Sequence, residues 1–188
     1  MKMALAVRRL SHQPQQPPRV IASLRSLRAL PPSKALKFRW KGNVDGFVFL
    51  SGDTPHAYAN RCSHVALELD LNDADFFSHG FIQCKVHGAM FDPESGLCLR
   101  PPPQCKRLHP LRRIPLVVEA DNVLLSDGHP PAPSQTQIFD DTYLRDKQVQ
   151  LQAAMDADAM DIQAEVDAIN QRSLRLMAAA KRHTKPTK

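Results

Sequence analysis

Two short segments constrain this chain more than anything else in it. They are Cys62-Ser63-His64 and, after nineteen intervening residues, Cys84-Lys85-Val86-His87. Each offers one thiol and one imidazole, and each follows a run that reads as a strand. A loop at the end of a strand can carry such a pair to a common point. Thiolate and imidazole together hold zinc, or an iron–sulfur cluster in which two histidines replace two cysteines on one iron. Zinc sites usually pair like with like, Cys near Cys and His near His. Here each arm mixes the two, which suits the cluster better: two Cys on one iron, two His on the other.

The residues around the two arms read as β structure. Phe47-Val48-Phe49-Leu50 is a short apolar strand, Ser51 to Pro55 a turn cluster, and His56 to Asn60 the return. Phe76-Phe77, Ser78-His79-Gly80 and Phe81-Ile82-Gln83 repeat the strand–turn–strand pattern. Gly88 follows His87 directly and permits a close backbone approach of the loop to a bound group. Phe91 starts a return strand that Asp92-Pro93-Glu94-Ser95-Gly96 turns. Ile114 to Glu119 and Asn122 to Leu125 form a last hairpin. Short strands with frequent turn signals predict an antiparallel β domain over residues 34–125.

Outside it the composition changes. Residues 1–44 hold ten Lys/Arg and no acid, residues 45–135 hold seven against eleven, and residues 136–188 hold eight of each. The net charge of +6 therefore comes from the N-terminal arm. Residues 1–33 read as a basic, disordered arm, with a basic helix at Val20–Leu30 and a transit peptide or docking arm as sharper readings. The arm lacks aromatic interleaving, so no nucleic-acid partner is expected. No stretch is long and apolar enough for a membrane span, and no secretory signal is expected. Residues 126–140 read as a Pro-rich linker and 182–188 as a basic tail. Residues 141–181 contain no Pro or Gly and predict an amphipathic helix about 60 Å long. Met155, Ile162, Ile169 and Leu176 recur every seven residues, with Ala159, Val166 and Ser173 four after the first three.

The run Cys62-Ser63-His64 … Cys84-Lys85-Val86-His87-Gly88, followed by Phe91-Asp92, resembles the Rieske [2Fe–2S] family over roughly residues 34–125. Ala57-Tyr58-Ala59-Asn60-Arg61 is similar to the strand that leads into that family's first loop. The resemblance implies a three-sheet antiparallel β domain with a two-loop cluster-binding subdomain, here followed by the long C-terminal helix. It implies one [2Fe–2S] cluster per chain, with Cys62 and Cys84 on the inner iron and His64 and His87 on the outer. High-potential members carry an extra Cys in each loop, joined as a disulfide. The matching positions here are Leu67 and Val86. Those members also place hydroxyls after the second His, where this chain has Ala89 and Phe91. Hydrogen bonds to the sulfurs favour the reduced cluster, so their loss implies a potential near the bottom of the Rieske range, about −150 mV.

The implied function is electron transfer: a low-potential, ferredoxin-like component of an oxygenase or reductase system. No catalytic residues or catalytic domain are expected in the chain itself. The alternative is a redox-sensing or structural module that docks a partner through its C-terminal helix. The expected compartment is the cytoplasm, or an organelle matrix if residues 1–33 are a transit peptide. Cys98 and Cys105 are expected as free thiols. Lys85, between two ligands, is expected to shape docking or to be solvated. His56, His79, His109 and His129 read as surface histidines, and His12 and His183 as tail residues.

Overall fold

A computed structural model describes residues 19–126 and 140–183. Most of the basic arm, most of the linker and all but the start of the basic tail, with His12 and His129, lie outside the described residues. The elements in chain order are β1 (Val20–Ser23), α1 (Leu24–Arg28), β2 (Leu36–Lys41), β3 (Val44–Ser51), β4 (Thr54–Ala59), β5 (Phe77–Ser78), β6 (Phe81–Gln83), β7 (Met90–Phe91), β8 (Cys98–Arg100), β9 (Leu116–Glu119), β10 (Asn122–Leu125) and α2 (Asp141–His183). The strands form three antiparallel sheets, ordered β1-β10-β9, β2-β3-β4 and β5-β6-β7-β8. The fold is mainly β, three antiparallel sheets followed by one long C-terminal helix.

The β2-β3-β4 sheet lies between two cores, which explains why β3 is apolar in a continuous run rather than in alternation. Phe47, Phe49 and Tyr58 point to one side, where they pack with Phe76, Ile82, Phe91, Cys62 and Cys84. Val48 and Ala57 point to the other, towards Ala22, Leu27, Ile114 and Val123. The Phe47 and Phe76 rings stack with centroids 4.1 Å apart. The first core therefore joins the strand platform directly to the two cysteines.

The basic helix expected over Val20–Leu30 is corrected. Val20 to Ser23 is a strand paired with β10, Ala22 opposite Val123, and only Leu24–Arg28 is helical. Two adjacent β-branched residues, Val20 and Ile21, favour the extended form. Ser23 then stops the strand and caps the helix reciprocally with Ser26. The β fold thus begins near Val20, inside the segment expected to be a disordered arm.

Helix α2 starts at Asp140, whose Oδ1 accepts from the Tyr143 amide at 2.9 Å. Leu151 is buried with Phe81, Met90 and Leu99, and Leu144 and Met155 pack against that cluster. The buried Asp92 carboxylate accepts from Tyr143 Oη at 2.7 Å and faces Lys147 Nζ at 3.7 Å. Gln148 donates to the Leu99 carbonyl, and His79 meets Asp158. The first third of the helix is thereby fixed to the β5-β6-β7-β8 sheet. No helix among the described residues is long and apolar enough to cross a membrane.

Candidate metal centre

Both chemical segments leave strands at their C-terminal ends. The first loop follows β4, and the second joins β6 to β7. Each closes on itself through its cysteine: Cys62 N–H donates to the Leu67 carbonyl and Cys84 N–H to the Ala89 carbonyl, both at 2.9 Å. The second loop needs Gly88 for its conformation, φ +70°, and a Cβ there would meet no other residue. Lys85 N–H donates to the Leu69 carbonyl at 2.9 Å and so ties one loop to the other.

The structure sets the predicted side chains in two pairs, Cys62 with Cys84 in the core and His64 with His87 outside it. Cys62 and Cys84 are buried together in the first core, close enough for each to shift the other's proton affinity. The backbone amides just beyond each sulfur favour its thiolate: His64 and Val65 for Cys62, Val86 and His87 for Cys84. The neighbouring Cys62 and these amides draw the Cys84 thiol down to about 6. The neighbouring Cys84, with burial, holds the Cys62 proton well above the ordinary thiol range. The histidines lie on the outer side, their rings edge to face with centroids 4.8 Å apart. His87 is exposed, and His64 is half-buried.

These residues fit a two-iron cluster. His64 Nδ1 is buried and has no hydrogen-bond partner, as expected of a nitrogen reserved for metal. Among the described residues no three His, Cys, Asp or Glu side chains converge on one ion-sized point. A pair of sulfurs beneath a pair of imidazoles matches two metals with two protein ligands each better than a single tetrahedral zinc.

Several supporting residues had no distinctive sequence signal. Asn60, two residues before Cys62, accepts from Leu69 N–H at 2.9 Å and donates to Asp70 at 2.8 Å. Asp70 is fully buried and also meets Lys37 Nζ at 3.1 Å and Ala74 N–H at 2.9 Å. Ser63 Oγ donates to the His109 carbonyl at 2.7 Å, which ties residues 101–113 to the first loop. Lys85, expected either to shape docking or to be solvated, is instead engaged in ion pairs. It is held by Asp73 at 2.5 Å and Asp75 at 3.2 Å, and hydrogen bonding to Asp73 raises its pKa. Cys98 and Cys105 are free thiols. A groove of about 460 Å³ runs from His87 and Gly88 past Arg100 to Met155 of α2.

The family model described as the Rieske [2Fe-2S] domain matches residues 25–115. No curated protein matches the chain. Among solved structures it is similar to the ferredoxin of carbazole 1,9a-dioxygenase from Nocardioides aromaticivorans IC177, at 26% identity and TM-score 0.45, over 59% of this chain and 98% of that one. It is similar to the Sphingomonas yanoikuyae B1 ferredoxin at 17% identity and TM-score 0.45, over 58% and 98%. A third similarity, to dicamba monooxygenase, has 24% identity and TM-score 0.47, and covers 61% of this chain but 33% of that one.

Proposed function

Residues 25–115 are a Rieske [2Fe–2S] domain, which binds a [2Fe–2S] cluster, and from that premise we propose that this chain is a one-electron carrier serving an oxygenase or reductase. Cys62 and Cys84 would hold the inner iron, and His64 and His87 the outer. When bound, the cluster supplies a single reversible electron. The protein's own residues do the rest. The backbone amides beyond each cysteine favour thiolate, the buried core excludes water from the sulfurs, and the histidine pair forms the exposed edge through which an electron leaves. The observation that carries the proposal is this layering, with two buried sulfurs beneath an orphaned His64 nitrogen and an exposed His87.

Three features support a low-potential carrier. Leu67 and Val86 occupy the two positions where high-potential relatives carry the bridging cysteines. Ala89 and Phe91 bring no hydroxyl to the site, and the Ser63 hydroxyl is directed to the His109 carbonyl.

The partner face has a sign. Lys106, Arg107, Arg112 and Arg113 are exposed on the segment that Ser63 ties to the first loop, and no acid lies between Gly96 and Glu119. An acidic rim on the partner would fit it. The test is reconstitution with a flavin reductase and a Rieske oxygenase lacking their own ferredoxin. A carrier raises turnover in proportion to its concentration and is reduced by one electron per chain. A cluster that is reduced but passes no electrons to any acceptor would favour the sensing or structural reading instead.

A further inference from the structure

The face of α2 that packs on the β domain does not stop where the domain stops. Leu144, Gln148, Leu151 and Met155 lie on one stripe of the helix and touch the β5-β6-β7-β8 sheet. Contacts with the β fold end at Asp158, which meets His79. At 100° per residue, Ile162, Val166, Ile169, Ser173 and Leu176 continue the same stripe. From Asp156 to Ala178 every described residue is exposed. Ile162, Val166, Ile169 and Leu176 are 63%, 43%, 58% and 65% exposed. An apolar stripe from Ile162 to Leu176, about 21 Å long, is thus left with nothing beneath it among the described residues.

The charges say what covers it. Residues 156–167 hold five acids and no base, and residues 168–183 hold four bases and no acid. A second copy laid parallel and in register would set acid against acid and base against base. Laid antiparallel, it sets each acidic half against a basic half. We propose that the projecting part of α2 pairs antiparallel with the same segment of a second copy of this chain, forming a dimer joined tail to tail. The residue sizes fit one register: Ile162 faces Ser173, Ala159 faces Leu176, and Val166 faces Ile169, so that large side chains meet small ones at the ends of the seam. That register brings Glu165, on the flank of the stripe, beside Arg172 of the second copy, twice by symmetry. The inference rests on the helix alone and stands whether or not the cluster reading does.

Sedimentation equilibrium of the full-length, cluster-loaded chain over a concentration series tests it. The expected result is a reversible dimer that weakens as salt is added. Ile169→Asp should raise the dissociation constant by about tenfold or more, with the visible absorbance of the cluster unchanged. Glu165→Arg should weaken the dimer, and Glu165→Arg combined with Arg172→Glu should restore it. A monomer at every concentration would overturn the proposal and leave the stripe to another protein or to a segment of this chain. So would a dimer that survives Ile169→Asp, because it would use another surface. A dimer indifferent to Glu165→Arg would rule out the antiparallel register.

Discussion

Gly96 answers two demands at once. Its φ is +74°, and a Cβ on it would sit 2.7 Å from the Tyr58 ring. That ring is fully buried, its hydroxyl donates to the Pro93 and Glu94 carbonyls, and burial pushes its pKa up to about 12. Gly96→Ala should therefore cost about 2–4 kcal/mol in chemical unfolding, and a midpoint unchanged from wild type would contradict the close packing. Asp70 makes a pH prediction. Burial opposes its charge, but Asn60, the Ala74 amide and Lys37 outweigh burial and hold its carboxyl below the usual range. A depressed folded pKa contributes stability above the unfolded value, about 4, and that contribution is lost as pH falls through the folded value. Asp70→Asn should thus be less stable at pH 7 by about 2 kcal/mol and lose less on acidification, measured by urea unfolding from pH 7 to pH 3. At positions 89 and 91 the missing hydroxyls can be supplied. Ala89→Ser or Phe91→Tyr should raise the midpoint potential, each by about 60 mV for a tenfold preference for the reduced form. Potentiometric titration followed by EPR reads this directly.

Elements show where sequence reasoning succeeds and where it fails. The strands flanking the ligand loops were legible because Phe47–Leu50, Phe81–Gln83 and the Asp92–Gly96 turn carry strong local signals. The candidate ligand pattern stands out in the sequence because metal chemistry restricts such donors to few residue types. β2, with its Lys-Phe-Arg-Trp-Lys run, was missed: its alternation is blurred by long charged side chains, and its pairing with β3 is tertiary. β1 was missed because its three-residue apolar run, Val20 to Ala22, fits strand or helix equally until β10 is there to pair with it. The roles of Asn60 and Lys85 were hidden because their partners, Asp70, Asp73 and Asp75, lie ten or more residues away and form no motif. The α2 attachment makes its own prediction. Leu151 is 3% exposed beneath Phe81, Met90 and Leu99, so Leu151→Ala should cost about 2–3 kcal/mol of helix docking. Amide exchange should then quicken between Tyr143 and Met155 while β3 and β4 stay protected. Unchanged protection of the helix would place its anchor at Asp92 and Tyr143 instead.

At the scale of the molecule, charge and chemistry are divided along the chain. The β domain, residues 20–125, holds thirteen Lys/Arg against ten Asp/Glu, the segment beside the first loop is wholly basic, and the helix carries acid first and base last. Reversing Lys106 and Arg107 to Glu should slow electron delivery to an acidic partner by about tenfold at low salt, with the difference shrinking as salt rises. Stopped-flow reoxidation checks it, and a salt-independent rate would remove the basic face from docking. The central claim is that Cys62, His64, Cys84 and His87 hold one [2Fe–2S] cluster. Low-temperature EPR of chemically reduced, anaerobically purified protein, with iron and acid-labile sulfide assayed on the same sample, tests it most directly. The account predicts two irons and two sulfides per chain and a rhombic Rieske-type signal, lost in His64→Ala and in His87→Ala but kept in Lys85→Ala. A silent sample holding tightly bound zinc and no sulfide, or a signal that survives His87→Ala, would contradict it.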